Sequence, residues 1–342
     1  MSRLPSLRTS PLLALAVLLA ATSVARPVPG LPTALGALAP EIETLYNAGS
    51  YSSAAEALQA AIAQHPKDAS LYYWLGRCYF EAGDFDHSIS TWERAVALDS
   101  NRSEYHDWLG RAYGRKAEED SHSKLASALS LARRTHHEFE LAVQLDAKNI
   151  DAQRDLIAFM ASAPRNLGGG EQRALEQIHT LSGVDPLEGE LALADLYAVK
   201  KKFEQANEEY QKILKSAPNG IDAYLEAADY YRDQGEAEQM EQAVEAATKI
   251  TSSDRRLSYY RGVVLVLKKK DSAVAEKDLH TYLDTVPDNS ELPAHSSAYE
   301  WLGKLYESEK RLDLAAEQYK AALTLDPQNK GLREALKRLQ KN

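Results

Sequence analysis

The sequence predicts an all-α, right-handed solenoid built from about eight helical hairpins. Three observations predict it. A loop of the form x-D/A-P/S-x-N/D recurs about every 34 residues between Pro66 and Pro327. Between these loops, small and aromatic residues recur at the spacing of one helix face. Apolar residues make up 44% of the chain, which is enough to form a core between stacked hairpins.

The last repeat shows most clearly why this pattern forms a hairpin. Gly303 and Tyr306 share one face of a first helix, and Ala315 and Tyr319 share one face of a second. The small residues let the two helices approach closely, and the aromatic residues fill the space between them. Because Pro327 cannot continue the second helix, it begins the turn to the next hairpin. One hairpin cannot bury its apolar face alone, so the hairpins must stack.

The other repeats keep this pattern to different degrees. The second and third repeats are clear, since Trp-Leu-Gly opens the first helix of each, at Trp74 and Trp108. The first, fourth and seventh repeats keep only part of it. We expect the array to span residues 40–328. Residues 329–342 carry one stripe of leucines on an otherwise polar helix, which predicts a C-terminal capping helix.

The repeat resembles the tetratricopeptide repeat over about residues 38–330. Two insertions depart from a plain array. Residues 116–131 are predicted to lengthen a helix or to form a helical lid. Residues 163–171 contain the sequence A-P-x-x-L-G-G, which is similar to a loop of a group of exported bacterial repeat proteins of unassigned function.

Residues 1–25 predict a secretory signal peptide. Arg3 and Arg8 precede an apolar run at residues 12–21, and small residues follow it as a cleavage sequence. The run is too short for a stable membrane-spanning helix, although an uncleaved N-terminal anchor is the alternative. Three prolines in residues 26–39 oppose helix formation and predict a flexible lead-in. The mature chain is therefore expected to be exported, to the periplasm or beyond.

Charge and cysteine content exclude several classes of protein. The chain has 40 Lys and Arg residues against 50 Asp and Glu residues, a net charge of −10. This balance disfavours general nucleic-acid binding, which requires a basic surface. One cysteine, Cys78, cannot form an internal disulfide and is predicted to be a small buried residue.

Two motifs resemble a phosphate-binding loop and a zinc-binding helix, but each lacks residues that such a site requires. A phosphate-binding loop follows a strand and precedes Lys-Ser/Thr, whereas Gly168–Gly170 follow a predicted helix and precede Glu171. These glycines predict a tight turn. The pair His136-His137 lacks the second histidine four positions later that a zinc-binding helix requires. The sequence therefore predicts no metal, no cofactor and no catalytic residue.

The resemblance implies that the first helices line a concave face and that certain positions point into it. Carried over to this chain, these positions are Tyr73, Arg77, Phe80, Asp107, Arg111, Arg115, Arg154, Leu225, Asp229 and Arg232. Arg77 and Arg111 hold the same repeat position, so the arginines form a candidate site for a carboxylate or an acidic peptide. The alternative is that each arginine pairs with an Asp or Glu of the chain. The Lys/Asn set with which chaperone-type members bind a C-terminal carboxylate is not present as a set.

The function implied is that of a non-catalytic scaffold or adaptor of the bacterial cell envelope, which binds a protein or peptide in the concave groove. One alternative is a binding subunit for a small acidic ligand, seated near the glycine-rich loop and residues 116–131. A second alternative is an enzyme whose site lies in the two insertions.

Overall fold

The computed structural model describes residues 39–121, 123–216 and 218–339. Within them it contains seventeen α-helices, a single 3-10 turn and no strand. The packing divides the chain into an N-terminal body that ends at Tyr210 and a C-terminal body that begins at Gln211. The predicted signal peptide and all but the last residue of the predicted lead-in lie outside the described residues.

The N-terminal body contains nine helices and the first half of a tenth. They are α1 (Pro40–Asn47), α2 (Tyr51–Gln64), α3 (Ala69–Glu81), α4 (Phe85–Leu98), α5 (Ser103–Asp120), α6 (Leu125–Leu145), α7 (Ile150–Ser162), α8 (Glu171–Val184), α9 (Pro186–Val199) and α10 (Phe203–Ser216). A 3-10 turn, Arg165–Leu167, separates α7 from α8. The odd-numbered helices are the first helices of the hairpins and the even-numbered helices are the second.

The C-terminal body contains the rest of α10 and seven further helices. They are α11 (Asp222–Gln234), α12 (Ala237–Ile250), α13 (Arg256–Lys268), α14 (Ser272–Thr285), α15 (His295–Ser308), α16 (Leu312–Leu325) and α17 (Lys330–Leu339). The all-α repeat fold predicted from the sequence is confirmed. The first, fourth and seventh repeats, which keep only part of the pattern, also form helical pairs.

Polar residues in the recurring loops begin several of the helices. The Asp68 carboxylate accepts a hydrogen bond from the Ser70 amide, and the Asn149 side chain accepts one from the Ala152 amide. Each satisfies a backbone N–H that has no partner within its own helix. The loop residues that mark the repeat in the sequence therefore set where the next helix starts.

Glycine and aromatic residues bring the two helices of a hairpin together. A Cβ atom placed on Gly76 would lie 2.7 Å from the Trp92 ring, and one placed on Gly110 would lie 2.6 Å from the Phe139 ring. Both rings are buried. The same contact joins Gly303 with Tyr319. The small-residue and aromatic positions of the sequence pattern therefore pack directly against each other in each of these hairpins.

The first insertion lengthens both helices of the third hairpin. The helices α5 and α6 have 18 and 21 residues, whereas α3 has 13 and α4 has 14. The C-terminal helix α17 packs on α16 and buries Leu332, Ala335 and Leu339. Leu336, which belongs to the predicted apolar stripe, is only half-buried.

Candidate functional site

In the N-terminal body, predicted groove residues of the first helix α3 contact aromatic residues of the next first helix, α5. Tyr73 of α3 stacks on Tyr105 of α5, with ring centres 5.4 Å apart. The guanidinium carbon of Arg77 lies 3.7 Å from the centre of a Trp108 ring. We call this surface the first-helix face and define it by residues Tyr73, Arg77, Phe80, Glu81, Asp107, Trp108, Arg111, Arg115, Glu118, Asp151, Arg154, Asp155, Glu188 and Asp195 of α3, α5, α7 and α9.

Part of the first-helix face is interior. The buried members of the predicted set are Tyr73, Arg77, Phe80 and Asp107. The members that keep accessible side chains are Arg111, Arg115 and Arg154, whose side chains are 22%, 46% and 14% exposed. A ligand that lies on this face therefore meets these arginines and their carboxylate partners, while the aromatic residues pack the helices beneath it.

Arg111 occupies the centre of the first-helix face. Its Nε donates a hydrogen bond to Oδ2 of Asp155 at 2.5 Å, and its Nη2 lies 3.3 Å from Oδ2 of Asp107. Its guanidinium carbon also lies 4.4 Å from the centre of a Trp108 ring. The guanidinium carbon of Arg77 lies 3.7 Å from the centre of a ring of the same tryptophan. The contacts hold Arg111 in place against α7.

The other arginines of the predicted row also have carboxylate partners. Arg154 donates from Nη2 to Asp195 at 2.7 Å and from Nη1 to Glu188 at 3.2 Å. Arg115 donates to Glu118 at 3.0 Å, and Arg77 lies 3.9 Å from Glu81. This is the alternative that the sequence left open, in which each arginine pairs with an Asp or Glu of the chain.

Two carboxyl groups meet beside Arg111. Burial raises the pKa of Asp107 well above its usual range, and the neighbouring Asp155 and Asp151 carboxylates raise it further against the opposing charge of Arg111. Burial also raises the pKa of Asp155. Two adjacent carboxyl groups cannot both ionise easily, so burial and the neighbouring Asp155 favour the protonated form of Asp107.

Sequence reasoning missed the carboxylates that complete this face. Asp155, Glu188 and Asp195 were not among the predicted groove residues, although each binds an arginine that was. A signal was present, because Asp155 lies four positions after Asp151 and one after Arg154 on α7. The pattern placed acids and arginines on one helix face but did not show which of them would pair.

The predicted groove residues of the C-terminal body differ in burial, since Asp229 and Arg232 keep 20% and 21% of their side chains exposed. Leu225 is buried. Arg232 pairs with Asp229 and also donates a hydrogen bond to the Tyr259 hydroxyl at 3.3 Å, while the Tyr260 hydroxyl donates to Asp229 at 2.8 Å. This network joins α11 to α13 within the C-terminal body.

The glycine-rich loop is a packed turn. Gly168 has a φ of +100° and lies against the His136 ring, where a Cβ atom would be 2.7 Å from the imidazole. A Cβ atom on Gly169 would overlap the Ala163 carbonyl oxygen. The Gly170 amide donates to the Met160 carbonyl oxygen at 2.8 Å. The loop therefore closes onto α6 and α7, as a tight turn would, and these amides do not form a phosphate cradle.

A cleft of about 370 Å³ lies beside the lengthened third hairpin, where the acidic-ligand alternative would place its site. Three cationic side chains line it, Lys116, Lys124 and Arg134. Each already has a carboxylate partner, since Lys116 binds Asp86, Glu119 and Asp120, Lys124 binds Asp120, and Arg134 binds Glu93. Each cation that lines this cleft is therefore paired with a carboxylate of the chain itself.

The single cysteine and the residue types that bind metals are the other candidates for chemistry. Burial raises the pKa of the Cys78 thiol to about 12, against the opposing charge of Arg77, so it is a thiol at neutral pH. In the part of the chain that the structure describes, no three His, Cys, Asp or Glu side chains are grouped as metal ligands. None of the described helices is both long and apolar enough to cross a membrane.

Comparison with known families identifies the repeat. The family model described as tetratricopeptide repeat matches residues 41–113, 191–255 and 265–330, which is more than half of the chain. The chain belongs to the tetratricopeptide repeat family. The stretch between the first two matches, residues 114–190, contains both insertions. Proteins of this family are generally protein-binding scaffolds.

Solved structures share the fold at low sequence identity. Yeast Tom70 is 12% identical with a TM-score of 0.57, over 85% of this chain and 58% of Tom70. A tetratricopeptide repeat protein from Parabacteroides merdae is 19% identical with a TM-score of 0.47, over 80% of this chain and 99% of that protein. YrrB, described as having an unusual peptide-binding site, is 18% identical with a TM-score of 0.35, over 63% and 99%. No match was found among curated proteins.

Proposed function

We propose that this tetratricopeptide repeat protein is a non-catalytic scaffold that binds an extended peptide segment of a partner protein along the first-helix face of the N-terminal body. One observation carries the proposal. The accessible ion pairs of α5, α7 and α9 form one continuous surface, from Arg111 through Asp155 and Arg154 to Asp195. A peptide laid across α5, α7 and α9 would contact three successive hairpins.

Polar side chains remain accessible on this face to hold a peptide backbone. Arg111, Arg115 and Asp155 each keep part of the side chain exposed, and their intramolecular ion pairs fix their positions before a ligand arrives. Positions fixed in advance reduce the conformational entropy lost on binding. The acidic-ligand alternative is less well supported, because the cations of the first-helix face and of the cleft beside it already bind carboxylates.

The binding proposal is tested by selecting displayed random peptides against the full chain and measuring the affinity of the selected peptide for two variants. Arg115→Ala removes an exposed arginine from the first helix α5, and Arg133→Ala removes one from the second helix α6. We expect Arg115→Ala to weaken binding about three- to tenfold and Arg133→Ala to leave it unchanged. Failure to select any peptide, or equal effects of the two substitutions, would contradict the proposal.

We also propose that the protein works in the bacterial cell envelope. The charged start, short apolar run and small-residue cleavage sequence of residues 1–25 support this location. Fractionation of a bacterium that expresses the full chain tests it. We expect the protein in the envelope fraction with Arg26 as its first residue, whereas an unprocessed chain in the cytoplasmic fraction would contradict the location.

A further inference from the structure

The first-helix face carries more carboxyl groups than arginines. Its defining residues include four arginines, which are Arg77, Arg111, Arg115 and Arg154. They also include seven carboxyl groups, which are Glu81, Asp107, Glu118, Asp151, Asp155, Glu188 and Asp195. The arginines of this face are held by these same carboxylates. The excess of negative charge therefore favours a partner that brings positive charge.

The excess is concentrated beside Arg111, which pairs with Asp107 and Asp155, while the charge of Asp151 acts on both of these carboxyl groups. Asp107 lies at the floor of this cluster and is 2% exposed. Its Oδ1 is buried and accepts no hydrogen bond from any donor of the described residues. Asp155 forms the accessible wall, with 19% of its side chain exposed, and Asp151 is exposed at the rim. A buried carboxylate oxygen without a donor is costly unless a proton or a ligand satisfies it.

We propose that the Asp107–Arg111–Asp155 cluster binds the cationic side chain of a lysine or arginine in the peptide that lies on the first-helix face. The inference rests on the proposed function and specifies the chemistry of the partner. The ammonium or guanidinium group donates hydrogen bonds to Asp155 at the wall of the cluster, with Asp151 adding charge at the rim. The bound positive charge favours the ionised form of Asp107, which burial and Asp155 disfavour in the free protein.

Proton release on binding follows from the groups around Asp107. On its own helix Arg111 favours the ionised carboxylate, and from α7 Asp155 and Asp151 oppose it. The charged groups of the other neighbouring helices are engaged elsewhere: Arg77 of α3 lies over Trp108, Glu93 of α4 binds Tyr113, and Glu138 of α6 binds His106. A new cation beside Asp155 offsets the repulsion between the two carboxyl groups, which lowers the pKa of Asp107 and favours release of a proton.

The first test compares peptides selected by the full chain with those selected by Asp107→Asn/Asp155→Asn. Asn has nearly the shape of a protonated Asp, and a thermal melt checks that the variant folds. A double control, Asp86→Asn/Asp313→Asn, removes two exposed carboxylates from the second helices α4 and α16. We expect the wild-type chain and the control to enrich peptides with a lysine or arginine at one fixed position, and the variant to lose that preference.

The second test measures the affinity and the proton balance of one selected peptide by titration calorimetry in phosphate and in Tris at neutral pH. We expect Asp155→Asn to weaken binding about tenfold and replacement of the peptide's basic residue by Gln to do the same. We expect the wild-type chain to release a proton on binding and Asp107→Asn to release none. Agreement of the binding enthalpies in the two buffers for the wild-type chain would contradict the exchange of the proton for the cation.

The outcomes separate this inference from the proposed function. Selected peptides without a basic position, or with one that survives in Asp107→Asn/Asp155→Asn, would overturn the cationic site and leave a peptide-binding scaffold. A preference for acidic peptides would also overturn the cationic site. If neither the wild-type chain nor the control selects any peptide, both proposals fall.

Discussion

At the scale of single residues, the fold depends on contacts between a glycine of one helix and an aromatic ring of the next. Gly76 and Gly110 allow Trp92 and Phe139 to pack against the backbone of the neighbouring helix. The sequence predicted this contact because the small and aromatic residues recur together at helical spacing. It could not predict which carboxylates pair with Arg111 and Arg154, since several acids lie within reach of each and only packing selects among them.

We expect Gly110→Ala to lower the free energy of unfolding by about 1–3 kcal/mol, because the new methyl group meets the buried Phe139 ring. Gly183→Ala is the matched control, since a Cβ atom there has no neighbour within 4 Å and alanine favours helix formation. Urea unfolding measures both. A Gly110→Ala protein as stable as the wild type would show that the close approach of α5 and α6 is not required.

His136 is expected to make the protein less stable in mild acid. Its burial lowers its pKa below the ordinary value of 6.5, so the folded state favours the neutral imidazole. The unfolded chain takes up the proton first as pH falls below about 6.5, and stability decreases over that range. Thermal melts between pH 8 and 5 should show a smaller loss of stability for His136→Gln than for the wild type. An equal loss in both proteins would exclude this residue as the source.

His106 is expected to have the opposite pH dependence. Burial opposes its charge, but hydrogen bonds with Glu138 at 2.6 Å and with the Ser100 carbonyl oxygen raise its pKa above 6.5. Its contribution is therefore complete below pH 6.5 and is lost as pH rises through the folded-state pKa. His106→Gln should lower the melting temperature more at pH 6 than at pH 9. A larger decrease at pH 9 would contradict this assignment.

At the scale of helices and loops, the sequence predicted the hairpins better than the insertions. Helix pairs and their loops follow from period, proline and capping residues, which act locally. For residues 116–131 the sequence left two structures open, and the structure shows longer helices α5 and α6. The glycine-rich loop was predicted to be a turn, but its packing on His136 joins residues distant in the sequence and could not be predicted.

The packing of that loop predicts a local effect. Gly169→Ala would place a methyl group on the Ala163 carbonyl oxygen, so the turn between α7 and α8 must shift. We expect faster amide hydrogen exchange in residues 163–171 and in the part of α6 around His136, with little change in the C-terminal body. Gly220→Ala serves as the control, because a Cβ atom there meets nothing within 4 Å. Unchanged exchange in the loop would contradict its packed structure.

At the scale of the whole molecule, the sequence specifies the repeat fold, whereas it specifies the proposed binding face only in part. The repeated pattern of small, aromatic and loop residues is enough to predict the fold. The site depends on which arginines and carboxylates pair in the folded chain. The predicted arginine row suggested an acidic partner, but each arginine of the first-helix face has a carboxylate partner in the folded chain. The excess of carboxyl groups over arginines on that face is the basis for the proposed basic peptide, in a chain of net charge −10.

The most direct test of the central claim is a hydrogen-exchange footprint of a selected peptide on the full chain. If the peptide binds the first-helix face, amide exchange slows in the first helices α5, α7 and α9 and stays unchanged in the second helices α4, α6 and α8. Slower exchange confined to the second helices, or to the C-terminal body, would contradict the account.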